Sequence, residues 1–240
     1  DDILLPADKN AFLSLKQTLD PSVDMVMMPY HVGFDQEGRP SFTYERERLL
    51  RREAGFVWQG AVHEAIVPRG KILHASAAVT HRKEKAPEPG RNLRIFEKLL
   101  EKGDKLEPRQ QYYYARELAA NGRDQEAAGW FRRFLEEGMG WEENCIGACL
   151  DLAGCYRRLG QPQRARAALA ASFVYGRPRA EICCALGESF LEKGELPSAI
   201  DWYKAALRCP PPGQGGFCQP DYWDFIPYVQ LCVCYDKLGN

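Results

Sequence analysis

Asp1, Trp58, the neighbours His63 and Glu64, and His81 are the side chains of the first third of the chain whose types suit chemistry. A carboxylate beside an imidazole can hold a divalent cation. A carboxylate can also take a proton from a hydroxyl, and an indole offers a flat face for stacking. Read by type alone, each also has a plain structural role: Trp58 in a core, His63 and His81 as hydrogen-bonded imidazoles, Glu64 in solvent. His31 and His74 fit no such pattern and read as structural. The nine cysteines repeat no Cys-x-x-Cys zinc spacing. Their odd number, the chain length and the lack of a leader before them are expected of a protein in a reducing cytoplasm.

The bulk properties narrow the classes. Of 240 residues, 45% are apolar and 27% charged, and no apolar run approaches the roughly 18 residues of a membrane span. The net charge is −1, with 12 acidic and 12 basic side chains in residues 1–85. That balance leaves no basic footprint for nucleic acid or an anionic membrane.

The elements that must position these residues differ along the chain. Residues 6–19 read as an amphipathic helix with proline in its first turn. Residues 23–34 read as a strand, 35–40 as a hairpin turn and 41–44 as the returning strand. A basic stretch follows through Arg52, then short strands around 56–58, 62–67 and 72–80. Residues 91–103 have apolar side chains at helical spacing, and 86–107 is expected to form a connecting, packing helix.

From about residue 108 a pattern repeats. Ala115, Leu118, Gly122 and Ala127 align with Ala153, Tyr156, Gly160 and Ala165, and again with Gly187, Phe190, Gly194 and Ala199. A fourth set begins at Leu231, Cys232, Tyr235 and Gly239. A small residue (Ala115, Ala153, Gly187, Cys232) lets two helices approach, glycine closes the first helix in a left-handed cap, and the later alanine sits where the second helix crosses. Cys145, Cys149, Cys155, Cys183, Cys184, Cys232 and Cys234 fall on or near the first helices, at positions expected to be mostly buried.

This pattern resembles the tetratricopeptide repeat (TPR) family, whose period of about 34 residues separates Gly160 from Gly194. The resemblance implies a mostly α fold, a TPR-like α-α superhelix of about three and a half repeats, at 108–141, 146–179, 180–213 and a partial 225–240. On the usual repeat geometry the concave face would carry Arg109, Tyr112, Arg116, Leu150, Arg157, Arg158, Glu181, Glu188 and Glu192. Their mixed charge does not reproduce the carboxylate clamp of the family's chaperone-binding members.

A second resemblance covers residues 1–85. The stretch 1–6 looks like the end of an Asp-x-Asp segment, 56–64 like a Trp-x-Gly-x-Val-His-Glu segment, and 79–82 like the strand-end histidine of inverting, family-two glycosyltransferases of the GT-A fold. It implies a small α/β remnant of a nucleotide-diphosphosugar transferase domain, with Asp1 and His81 as metal ligands, Glu64 as catalytic base, and Trp58 and His63 on the acceptor side. A bacterial hexosyltransferase would use Mg²⁺ or Mn²⁺ and a nucleotide-sugar donor, with a peptide, protein or glycan acceptor docked on the repeats, and dimerisation as a further role for them. The donor-binding half would precede Asp1, so the chain is expected to be cut at both ends, inactive and without a cofactor by itself. The alternative is a non-enzymatic TPR adaptor with a degenerate N-terminal cap.

Overall fold

The computed structural model describes residues 2–62, 64–82, 88–211 and 219–239. The chain divides into two compact units, the first running to Glu88 and the second holding Pro89–Pro211 with the residues from Pro220 onward.

In the first unit, a two-residue strand β1 (Asp2–Ile3) leads into α1 (Pro6–Thr18), whose first turn is pre-set by Pro6. Ala11, Phe12 and Leu15 of α1 lie against a small core of Val23, Val26, Met28, Ala77 and Val79. β2 (Met25–Phe34) and β3 (Pro40–Leu50) form an antiparallel hairpin. Asp35 shapes its turn by accepting hydrogen bonds from the backbone N–H groups of Glu37 (2.9 Å) and Arg39 (2.8 Å). The basic stretch that follows Tyr44 in sequence is a continuation of β3, so Arg46 and Arg48 project from a strand. β4 (Ile72–His74) and β5 (Val79–His81) run parallel to β2, and β1 pairs antiparallel with β5.

The strands expected at 56–58 and 62–67 do not form. Among the described residues, 51–71 hold one short 3₁₀ turn, Arg52–Ala54, and one isolated bridge, Gln59 to Ala65. Gly55, Gly60 and Gly70 take φ values of 63°, 98° and 74°, and each left-handed residue breaks an extended run.

The second unit is helical. α2 (Arg91–Glu101) buries Leu93 and Phe96. Three helix hairpins follow: α3 (Pro108–Ala120) with α4 (Asp124–Glu137), α5 (Glu142–Arg158) with α6 (Pro162–Ala171), and α7 (Ala180–Glu192) with α8 (Leu196–Ala206). α9 (Phe225–Lys237) packs on α8. Gly122, Gly160, Gly194 and Gly239, each just past a first helix, all have φ between 69° and 77°. The crossing residues are buried: Ala115 and Ala127, Ala153 and Ala165, Gly187 and Ala199. At Gly187 a β-carbon would stand 2.9 Å from the Tyr203 ring, so this close crossing requires glycine. Six of the seven cysteines placed on first helices are buried, and Cys232 is exposed.

Candidate functional site

The first helices α3, α5 and α7 carry the side chains expected on the ligand face. α3 opens with a capping box in which Glu107 and Gln110 exchange hydrogen bonds with each other's backbone N–H. Within that first turn the Arg109 guanidinium lies 4.9 Å from the centre of the Tyr113 ring, and further along α3 Arg116 lies 5.7 Å from that of Tyr112. Arg116 also stands 3.4 Å from Asp151 of α5. Tyr112 is not a surface residue. It is 4% exposed and packs on Phe131 and Phe134 of α4, and burial pushes its phenol well above the usual range. A β-carbon on Gly147 would come within 2.6 Å of the Tyr112 hydroxyl, so glycine there makes room for α3 beside α5.

The remaining charges mostly face one another across repeats. Arg157 donates to both carboxylate oxygens of Glu188 (2.7 and 3.1 Å) and to Glu192 (2.7 Å). Arg158 makes a two-pronged contact with Asp124 of α4, at 2.9 and 2.6 Å, and these bonds hold the Asp124 carboxyl below its ordinary range. Arg179, 10% exposed at its side chain, bridges Glu143 of α5 (2.9 Å) and Glu181 of α7 (3.2 Å). Burial pushes Glu181 up, with Arg179 pulling against it. Leu150 is half-buried. Arg116 and Asp151 add a longer link of the same kind between α3 and α5.

In the first unit the antiparallel register of β1 and β5 sets Asp2 opposite His81. The Oδ1 atom of Asp2 contacts His81 Nδ1 at 2.9 Å and accepts a 2.8 Å hydrogen bond from the Tyr30 hydroxyl, while Oδ2 accepts from Arg48 at 3.2 Å. Burial opposes ionisation of Asp2, and the bonds from His81, Tyr30 and Arg48 outweigh it, leaving the carboxyl below its usual range. Burial and the bond to Asp2 raise Tyr30 to about 12. Arg48 lies over the Tyr30 ring at 4.5 Å.

Asp1 and His63 lie outside the described residues. Glu64 is exposed, and its backbone carbonyl accepts a long 3.4 Å bond from Arg46. Trp58 is 59% exposed, so it is not a core residue. Two shallow cavities of this unit, about 240 and 250 Å³, are lined by none of Trp58, Glu64 or His81. No group of three or more His, Cys, Asp or Glu side chains suited to a metal exists among the described residues. Asp2 and His81 offer two donors, and the Arg48 guanidinium already occupies the second carboxylate oxygen.

Residues 150–213 match the tetratricopeptide repeat family. Solved structures similar to the chain include the Yersinia enterocolitica type III secretion chaperone SycD in complex with a peptide of the translocator YopD. It is 17% identical with a TM-score of 0.44, over 54% of this chain and 93% of that one. A tetratricopeptide repeat protein from Parabacteroides merdae is 20% identical with a TM-score of 0.43, over 60% and 50%. BtubC from P. vanneervenii is 18% identical with a TM-score of 0.49, over 62% and 67%. No curated protein matches. The family match lies in the helical half, where it coincides with hairpins α5 to α8, and the chain carries a tetratricopeptide-repeat domain. No helix among the described residues is long and apolar enough to cross a membrane.

Proposed function

We propose that the chain is a protein-binding scaffold whose first-helix face, at α3 and α5, holds an extended peptide of a partner. The observation that carries this reading is the pair of arginine–tyrosine contacts on α3. Arg109 lies over the Tyr113 ring and Arg116 near the Tyr112 ring, in a chain whose helical half matches the tetratricopeptide repeat family. An arginine on a tyrosine ring is held in place without losing its donors, and the half-buried Leu150 of α5 suits a polar peptide with one apolar anchor. The test is to compare the partner proteins retained by the chain and by an Arg109→Ser, Arg116→Ser, Leu150→Ser triple variant. Selective loss in the variant supports the reading, and identical sets contradict it.

A second reading, a glycosyltransferase in which the first unit belongs to the catalytic domain, is favoured by one contact. Asp2 of the acidic segment meets the strand-end His81, which are two of the regions that carry that resemblance. In it Glu64 would deprotonate the acceptor, Trp58 would stack on a sugar, and Asp1 would join the metal ligands. It is tested by assaying nucleotide-sugar hydrolysis with Mn²⁺ or Mg²⁺ in the longest polypeptide containing this chain, beside a Glu64→Gln variant. Unchanged turnover in that variant removes Glu64 as the base.

A further inference from the structure

One contact between cysteine sulfurs stands apart from the packing role of the other thiols. Cys183 Sγ on α7 lies 3.9 Å from Cys209 Sγ, just beyond the end of α8. Cys183 is fully buried. Cys209 is half-buried and sits in the turn that closes α8, its backbone N–H bonded to Ala206 O at 3.1 Å. A disulfide requires the sulfurs to approach to about 2.05 Å. The required movement falls on Cys209, which lies past the last helical residue and is held by a turn. Cys184, next in the chain, points elsewhere: its sulfur lies 4.0 Å from the carbonyl of Tyr222.

We propose that Cys183 and Cys209 form an oxidant-closed staple across the third hairpin, with a peroxide as the oxidant. The Cys209 thiolate attacks one peroxide oxygen. The O–O bond breaks, the second oxygen leaves as hydroxide and is protonated to water, and Cys209 becomes a sulfenic acid. The Cys183 sulfur, giving up its proton, then attacks the Cys209 sulfur; the S–O bond breaks and a second water leaves. Two thiols and one hydrogen peroxide give one disulfide and two waters. Cys209 reacts first because it is the member that solvent reaches. Burial pushes both thiols above their ordinary range, so closure is slow at neutral pH and quickens as pH rises. The product fixes α7, which carries Glu181 and Glu188, to the start of the segment leading to α9. It does not depend on what the repeats bind.

The 240-residue chain is exposed to hydrogen peroxide at pH 7 and pH 9, capped with a maleimide, digested without reduction and mapped by mass spectrometry. The expected result is a Cys183–Cys209 linked peptide, forming faster at pH 9, and a melting temperature higher by about 5 °C that returns to its starting value on reduction. In Cys209→Ser, whose site is not in the core, both the link and the shift disappear. Cys183 and Cys209 recovered as capped thiols, Cys209 over-oxidised without the link, or a bridge from Cys209 to Cys184 or Cys218 would each overturn the proposal.

Discussion

The helical unit and the strand-bearing unit encode their contacts in opposite ways. In the helices, a residue's role follows from its distance to an equivalent residue one repeat away. The ion pairs obey the same rule, since Asp124 and Arg158 are 34 residues apart, Glu143 and Arg179 are 36, and Arg157 and Glu192 are 35. In the first unit the defining contact joins Asp2 to His81, 79 residues apart, and no period predicts it. A repeat array thus shows its couplings in its sequence, and a small sheet shows them only when its strand order is known.

The comparison predicts that single changes cost most where repeats meet and least in the first unit's exposed loop. Arg179→Ala leaves Glu143 and Glu181 facing each other nearly out of solvent, and is expected to cost about 3 kcal/mol or more in a denaturant titration. Gly187→Val drives a side chain into the Tyr203 ring and is expected to cost about 1–3 kcal/mol, lowering the melting temperature without changing partner contacts at α3. Arg158→Met, at a half-exposed arginine, is expected to cost about 1 kcal/mol or less at pH 7. That difference has a fixed sign with pH. Asp124 has a folded pKa below its unfolded one, so the pair's stabilisation is present above about pH 4 and is lost as pH falls through the folded value. Melts of the two proteins should therefore converge in acid, and a gap that widens in acid would refute the pairing. Trp58→Ala, at an exposed site, is expected to shift stability by no more than about 0.5 kcal/mol; a larger loss would mean that the loop is packed.

The helical half was legible for a physical reason: a helix crossing tolerates few side chains, so Ala115, Ala153, Gly187 and their capping glycines mark it directly. Its ligand face was less so. Tyr112 was expected to face a ligand and is buried, as are Tyr113 and Tyr114 beside it. Cys232 has the spacing of a crossing residue but is exposed. The signal for the inter-repeat ion pairs was present in the recurrence of opposite charges one repeat apart. In the first unit, the basic run 46–52 hid the length of β3, since alternating Arg and Glu on a strand look the same as a solvated loop. The short apolar runs at 56–58 and 62–67 looked like strands, yet glycines with positive φ flank them. The resemblance to glycosyltransferases drew attention to His81, and its partnership with Asp2 emerged only from the register of β1 and β5.

The central claim is that the α3–α5 face meets the partner. It is tested most directly by placing a photo-reactive phenylalanine at Leu150, on that face, or at Arg132, exposed on the second helix α4, and measuring adduct yield with the partner. The account predicts adducts at position 150 and background at 132. Equal yields at both positions, or adducts at 132 alone, would contradict it.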